Sequence, residues 1–189
     1  NTITLLEGLK IIGSGAFRNC DNLVEITIPN GVEKIDNIFF QCDNVEKIVL
    51  PDTIKSCRFN GYENFEITEI YLENIETWLN SVDFCYASKI YVNNQLAEYL
   101  IIPETITQIR SEAFKNCSFI REIFISDSVT YIGDEAFSGV GNLSKLVLPK
   151  HIDYFGSSNF YGNEIQNITL PETINSGMEN FYFNGFDTI

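Results

Sequence analysis

A short tripeptide of the form apolar-x-apolar recurs along the whole chain at a nearly constant interval. Its last apolar residues stand at positions 5, 28, 50, 72, 102, 125, 148 and 170, so successive copies are 22 or 23 residues apart, with one exception of 30. A unit this short cannot bury its apolar residues alone, and neighbouring units must therefore stack and share one core. The repeat restricts the chain to a solenoid whose parallel strands would lie about 4.8 Å apart.

Further apolar residues stand at fixed places around the tripeptide. Most copies have one three positions before the strand, as Leu23 stands before Ile26, and this spacing is the L-x-x-L-x-L core of a leucine-rich repeat. A second block, Ile-x-x-x-Ala-Phe-x-x-Cys, follows the strand and is clearest at residues 109–117. These patterns predict an α/β repeat solenoid, with a parallel sheet on the concave face and turn-rich or short helical segments on the convex face. We expect one domain over residues 1–189, with about eight repeats.

The combined pattern, apolar-x-Ile-Pro-x-x-Val/Ile-x-x-Ile-Gly-x-x-Ala-Phe-x-x-Cys, resembles the BspA-like leucine-rich-repeat family over essentially the whole chain. The resemblance implies a solenoid found in surface and secreted proteins of host-associated bacteria and of some protozoan parasites. Members act in adhesion to host proteins or to other cells, which implies an extracellular or cell-surface location here. Two turns, at residues 54–57 and 174–177, lack the Ile-Gly and Ala-Phe pairs, so we expect them to be irregular.

The one long interval falls within residues 73–102, where we expect an irregular unit. Asn74 would cap a short amphipathic helix, because apolar residues follow it at helical spacing. These residues are Ile75, Trp78, Leu79 and Val82. Residues 90–92, Asn93-Asn94 and residues 95–102 then predict strand, tight turn and strand, since asparagine tolerates the positive φ of a hairpin. The unit either covers the core in place of a turn or builds a special contact surface.

The middle residue of each tripeptide is predicted to point outward. In the five central copies it is apolar, and with one tyrosine from the neighbouring outward row these residues form our candidate binding surface. The candidate residues are Val49, Tyr71, Tyr99, Ile101, Phe124 and Val147. We expect Tyr99 to lie next to Tyr71, where the apolar strip is widest. An exposed apolar strip often marks a contact site, but β-branched and aromatic residues are also favoured in strands, where they pair across the ladder.

Charge excludes several classes of partner. The chain has 26 acidic and 12 basic residues, and a net charge of −14 argues against nucleic acid and against an anionic membrane surface. Neither a membrane-spanning segment nor a signal peptide is recognisable in the sequence, so we predict no membrane insertion by this segment. We expect the sequence to be a fragment of a longer protein.

Residues suited to catalysis or metal binding are few and scattered. His151 is the single histidine, so we expect neither a metal site nor a Ser/His/Asp triad built on it. Phosphate-binding glycine motifs and calcium loops do not occur in the sequence. We therefore predict no catalytic residue, no metal and no cofactor. Cys20 and Cys42 stand one repeat apart, within disulfide reach, and two buried thiols are the preferred interpretation with a disulfide as the alternative.

The sequence thus predicts a cell-surface or secreted leucine-rich-repeat protein that is not an enzyme. It would mediate adhesion by binding a protein or glycan of a host or neighbouring cell through the repeat face. The alternative function is a structural spacer that projects another domain from the cell surface.

Overall fold

The computed structural model describes residues 2–59, 67–81 and 87–177. The chain divides into two compact units, residues 1–96 and 97–189. In its described residues the first unit contains β1 (Thr2–Ile3), β2 (Ile11–Ile12), β3 (Glu25–Thr27), β4 (Lys34–Asp36), β5 (Lys47–Leu50), β6 (Ser56–Arg58), β7 (Ile67–Leu72), α1 (Ile75–Ser81), β8 (Ala87–Val92) and β9 (Gln95–Leu96). In the described part of the second unit lie β10 (Tyr99–Ile102), β11 (Gln108–Ile109), β12 (Glu122–Ile125), β13 (Tyr131–Ile132), β14 (Lys145–Val147), β15 (His151–Ile152), β16 (Tyr154–Phe155), β17 (Asn167–Thr169) and β18 (Thr173–Ile174).

Each unit has a main sheet built from the repeated tripeptide. The main sheet of the first unit has the order β1-β3-β5-β7-β8-β9, and that of the second unit has the order β10-β12-β14-β17. Every pairing is parallel except the one between β8 and β9, which form an antiparallel hairpin. Parallel pairing in register follows from the constant repeat length, because each repeat brings its strand beside the strand of the preceding repeat, with equivalent residues opposite one another.

Alternation along these strands places the core. In β5, Ile48 and Leu50 are buried while Val49 between them is half-buried, as a strand with one face on the core requires. The turn block adds a phenylalanine from most of the described repeats, and these rings stack along the interior. Ring centroids are 6.0 Å apart for Phe17 and Phe39, and 5.7 Å apart for Phe114 and Phe137. In the clearest copy of the block, the phenylalanine, Phe114, is fully buried.

The turn segments also contain a second ladder of short strands, which the sequence did not predict. This second sheet has the order β2-β4-β6 in the first unit and β11-β13-β16 in the second, and β15 and β18 form a further pair. The expectation that residues 54–57 are irregular is wrong, since Cys57 pairs with Ile35 in the second sheet. Of residues 174–177 only Ile174 lies in a strand, and it pairs with Ile152 of β15 instead of continuing the ladder from β16. Stacking at a constant period aligns the backbone of successive turns even where the side-chain motif is lost. Each unit is therefore a parallel-sheet β-solenoid, and the α/β label fits it only loosely, because α1 is the one helix in the described residues.

The long interval in the repeat contains one further parallel strand of the main sheet, β8, besides the short antiparallel β9. Strand β8 pairs with β7 in register, Tyr71 with Tyr91 and Leu72 with Val92, so the expected irregular unit continues the parallel ladder of the main sheet. The helix cap is confirmed, because the Thr77 backbone N–H donates to Asn74 Oδ1 at 2.9 Å, and Trp78 is fully buried below the helix. Val82, the last apolar residue predicted for this helix, lies outside the described residues.

The predicted tight turn is confirmed at Asn93 and Asn94, whose φ angles are 49° and 60°. The predicted second strand over residues 95–102 is wrong in extent, since β9 ends at Leu96 and residues 99–102 form β10 of the second unit. The chain therefore makes a short hairpin return before the next regular repeat begins.

Candidate functional site

The six candidate residues lie on the outward faces of the two main sheets, at different degrees of exposure. Val49 and Tyr71 belong to the first unit and are half-buried. In the second unit Phe124 and Val147 are half-buried, whereas Tyr99 is 64% and Ile101 is 75% exposed, both on β10. The second unit therefore carries the most accessible part of the candidate surface.

In the first unit the neighbour of Tyr71 is Tyr91, not Tyr99 as the sequence predicted. The two rings stack with centroids 4.4 Å apart and planes 4° from parallel. Both hydroxyls donate to one carboxylate, from Tyr71 Oη to Glu69 Oε2 at 3.0 Å and from Tyr91 Oη to Glu69 Oε1 at 3.2 Å. Lys47 Nζ lies 4.7 Å from the Tyr71 ring centroid. We call Lys47, Glu69, Tyr71 and Tyr91 the tyrosine cluster.

Sequence reasoning missed Tyr91 because the repeat interval broke there, although the sequence carried a signal. Ile70-Tyr71-Leu72 and Ile90-Tyr91-Val92 are nearly the same tripeptide, and their register in the sheet matches residue for residue. The ring stacking and the two hydrogen bonds to Glu69 fix the orientation of both tyrosine rings. Partial burial, together with the hydrogen bond and negative charge of Glu69, raises the pKa of Tyr71 and of Tyr91, so both phenols are neutral donors at neutral pH.

In the second unit, Ile101, Phe124 and Val147 lie opposite one another on three adjacent strands, as the sequence predicted. Lys145 Nζ lies 4.7 Å from the Phe124 ring centroid, so a cation covers part of the aromatic surface. Tyr99 and Ile101 are two residues apart on the same face of β10 and form an exposed apolar patch, which we call the β10 patch.

The remaining chemically active groups are placed as follows. His151 lies between two polar partners, with Nδ1 2.6 Å from Thr173 Oγ1 and Nε2 3.0 Å from Asp153 Oδ1. Within the described ranges, no group of three or more His, Cys, Asp or Glu side chains is placed to hold a metal ion. No helix in that part of the chain is long and apolar enough to cross a membrane.

Cys20 and Cys42 are both free thiols, but the preferred interpretation of two buried thiols holds for only one of them. Cys42 is buried, and its Sγ donates to the Phe17 carbonyl oxygen at 2.6 Å, whereas Cys20 is only half-buried. Burial raises the pKa of the Cys42 thiol, so this side chain is a poor nucleophile.

A family model described as a BspA type leucine rich repeat region matches residues 1–91 and 87–188, with six copies of the repeat. No curated protein matches the chain. A crystal structure of a leucine-rich repeat protein from Bacteroides ovatus is 19% identical with a TM-score of 0.51, and the match covers 93% of this chain and 56% of that one. A leucine rich cell surface protein from Faecalibacterium prausnitzii is 18% identical with a TM-score of 0.46, over 93% of this chain and 67% of that one. The chain thus spans little more than half the length of the first structure, and that likeness shows the fold.

Proposed function

Because the chain belongs to the BspA-type leucine-rich-repeat family, we propose that it is a cell-surface or secreted protein that mediates adhesion. It would do so by binding a protein or glycan of a host or neighbouring cell through the outward faces of its main sheets. Leucine-rich repeats are generally a non-enzymatic binding or scaffold fold, which agrees with a binding function.

The observation that carries this proposal is the β10 patch. Isolated exposed apolar residues are common on protein surfaces, but Tyr99 and Ile101 are neighbours on one face of one strand, at 64% and 75% exposure. Covering such a side chain on binding contributes about 1.5–3 kcal/mol. Tyrosine is also enriched among the residues that dominate interface energetics. Phe124 and Val147 extend the patch across the next two strands.

The second candidate function, a structural spacer, is favoured by the cross-strand contacts of the other outward residues. The tyrosine cluster satisfies its own hydroxyls and stacks its own rings, and such pairs stabilise a sheet without any ligand. Two residues of the cluster also belong to a ladder of opposite charges, with Glu25 opposite Lys47 and Lys47 opposite Glu69. A spacer requires these contacts, but it does not require the β10 patch.

Replacing both patch residues by threonine separates the two functions. Threonine occupies the register of Ile101 at Thr169 on β17, and the corresponding place of the repeat at Thr27 on β3, and it is favoured in strands, so Tyr99→Thr/Ile101→Thr should keep the strand. The assay is adhesion of beads coated with the purified chain to immobilised extracellular-matrix proteins, mucin and whole host cells. We expect adhesion to fall by at least about tenfold, the effect of about 1.4 kcal/mol of lost contact.

The matched control is Ile11→Thr, which removes a 62% exposed apolar side chain from the second sheet of the first unit. It should leave adhesion unchanged. Unaltered adhesion of the folded double variant would remove the β10 patch from the binding site, and absence of adhesion by the unmodified chain would favour the spacer.

A further inference from the structure

The second sheet of the second unit carries an aromatic pair that the proposed adhesion surface does not use. Tyr131 on β13 pairs with Tyr154 on β16, and their rings stack with centroids 4.9 Å apart and planes 15° from parallel. Tyr131 is 41% exposed. The position of Tyr131 and Tyr154 forms a row across the strands of the second sheets. In the other described strands of this row, β2, β4, β6 and β11, the residue is not aromatic: Ile11, Lys34, Ser56 and Gln108. The sheet does not require an aromatic residue in this row.

A network of polar side chains adjoins this pair. Asp153 directly precedes Tyr154, and its Oδ1 accepts from Asn175 Nδ2 at 2.8 Å and lies 3.0 Å from His151 Nε2. The other ring nitrogen of His151 lies 2.6 Å from Thr173 Oγ1. Each of these bonds to Asn175 and Thr173 joins residues one repeat apart, so the network is fixed by the stacking of the turns. It still faces solvent, because the side chains of His151 and Asp153 are 45% and 56% exposed.

We propose that Tyr131, Tyr154 and the adjoining Asp153, His151 and Asn175 form a saccharide-binding site. A pyranose ring has a C–H face that packs on an aromatic side chain and a rim of hydroxyls that need hydrogen-bond partners. Planar carboxylate, amide and imidazole groups beside an aromatic surface supply both requirements. A carboxylate has about four acceptor positions, and Asp153 already has His151, Asn175 and Thr130 as partners, so one position is open to a saccharide hydroxyl.

The charge of the second unit indicates that the saccharide is neutral. Its five cations are Arg110, Lys115, Arg121, Lys145 and Lys150. Each of them already has a partner within the chain, and Lys150, the cation nearest in sequence to the site, pairs with Asp127 at 3.3 Å. A sulfated or uronate glycan would find no free cation there and would meet Asp153 and a chain of net charge −14. These surroundings fit a saccharide that is recognised through its hydroxyls and carries no anionic group.

The test is a glycan array followed by isothermal titration calorimetry with the purified chain. The array holds neutral oligomers of glucose, galactose, mannose and N-acetylglucosamine, together with polygalacturonate and heparin fragments. The strongest neutral oligomer is then titrated into the unmodified chain and into Tyr131→Gln, which installs the residue found at Gln108 in the same row. We expect affinity to fall about tenfold, as for the loss of one aromatic stacking contact. Asp153→Asn should weaken binding as well.

Two controls keep the outcome interpretable. Titrations run well below the melting temperature of each variant, so a purely structural role of the tyrosine pair does not reduce the measured affinity. Ile11→Thr, in the second sheet of the first unit, should bind the oligomer like the unmodified chain. Weaker oligomer binding by Tyr99→Thr with unchanged binding by Tyr131→Gln would place the glycan on the main sheet, so failure of the adhesion proposal and failure of this one are distinguishable. The proposal is overturned by a flat response across the neutral oligomers, by binding of anionic glycans alone, or by unchanged affinity of folded Tyr131→Gln.

Discussion

The Ile-Gly pair of the repeat gives the sharpest test of how the turns stack. Gly13 and Gly133 occupy the same place in the motif, and neither has a positive φ, so an alanine is conformationally acceptable at both. They differ only in what lies beside them. A Cβ added to Gly133 would overlap Ser111 N and stand 2.8 Å from Ser111 Cα, whereas one added to Gly13 meets nothing within 4 Å.

The expected magnitude follows from these distances. Relief of the Gly133→Ala clash requires the backbone to move by about 1 Å, and overpacking of this kind costs about 1–3 kcal/mol. The movement also loosens the hydrogen bond from Gly133 N to the Ile109 carbonyl oxygen, now 2.8 Å long, which places the cost near the upper end. Gly13→Ala should instead stabilise by about 0.4–1 kcal/mol, because alanine lowers the entropy of the unfolded chain. The two variants should therefore differ by about 2–4 kcal/mol.

The assay is equilibrium urea denaturation of both variants, followed by far-ultraviolet circular dichroism. Fluorescence alone is unsuitable, because the single tryptophan, Trp78, lies in the first unit and Gly133 lies in the second. Equal stabilities of the two variants, or a larger loss in Gly13→Ala, would show that close backbone approach does not explain the glycine of the motif.

Three further variants test the polar contacts of the structure. Glu69→Gln should lower the pKa of Tyr71 and Tyr91 while leaving both above the ordinary value, because burial is the largest cause of the shift and remains. Alkaline spectrophotometric titration of the tyrosines measures this change. An unchanged titration would mean that the two hydroxyls do not share the Glu69 carboxylate in solution. Asn159→Ala should destabilise by about 3–5 kcal/mol, since the fully buried amide serves two backbone carbonyls and one backbone N–H. Asn44→Ala, which removes one exposed bond, should cost about 0.5–1.5 kcal/mol in the same urea assay, and similar losses for the two asparagines would contradict the assignment.

The features that the sequence predicted correctly are those determined by spacing or by local chemistry. A constant repeat length determines which residues pair, so the register of Ile101 with Phe124 could be read without a structure. The asparagine cap of α1 and the Asn93-Asn94 turn depend on one or two residues each, and the sequence therefore predicted both correctly. Strand β8 was missed because it departs from the period, although its Ile-Tyr-Val tripeptide repeats that of β7.

Exposure could not be predicted, because it depends on what neighbouring side chains cover. Tyr71 and Tyr99 both belong to outward rows, yet the stacked Tyr91 ring and Lys47 cover much of Tyr71, while Tyr99 stays 64% exposed. The second sheet was missed for a related reason. Its strands are two or three residues long and carry no strand signal of their own, and only the stacking of whole turns brings their backbones together.

The outward residues therefore fall into two groups, those whose presence is explained by the stability of the sheet and those whose presence is not. The stacking and hydrogen bonds of Tyr71 account for its presence, and removing it would weaken the first unit whether or not a ligand binds there. Ile101 has no comparable explanation, because a side chain that is 75% exposed contributes little burial and threonine serves at Thr169 in the same row. A loss of adhesion in Tyr71→Thr is thus open to two interpretations, whereas a loss in Ile101→Thr at unchanged stability points to binding alone. For this reason the β10 patch, rather than the larger tyrosine cluster, is the decisive place to test adhesion.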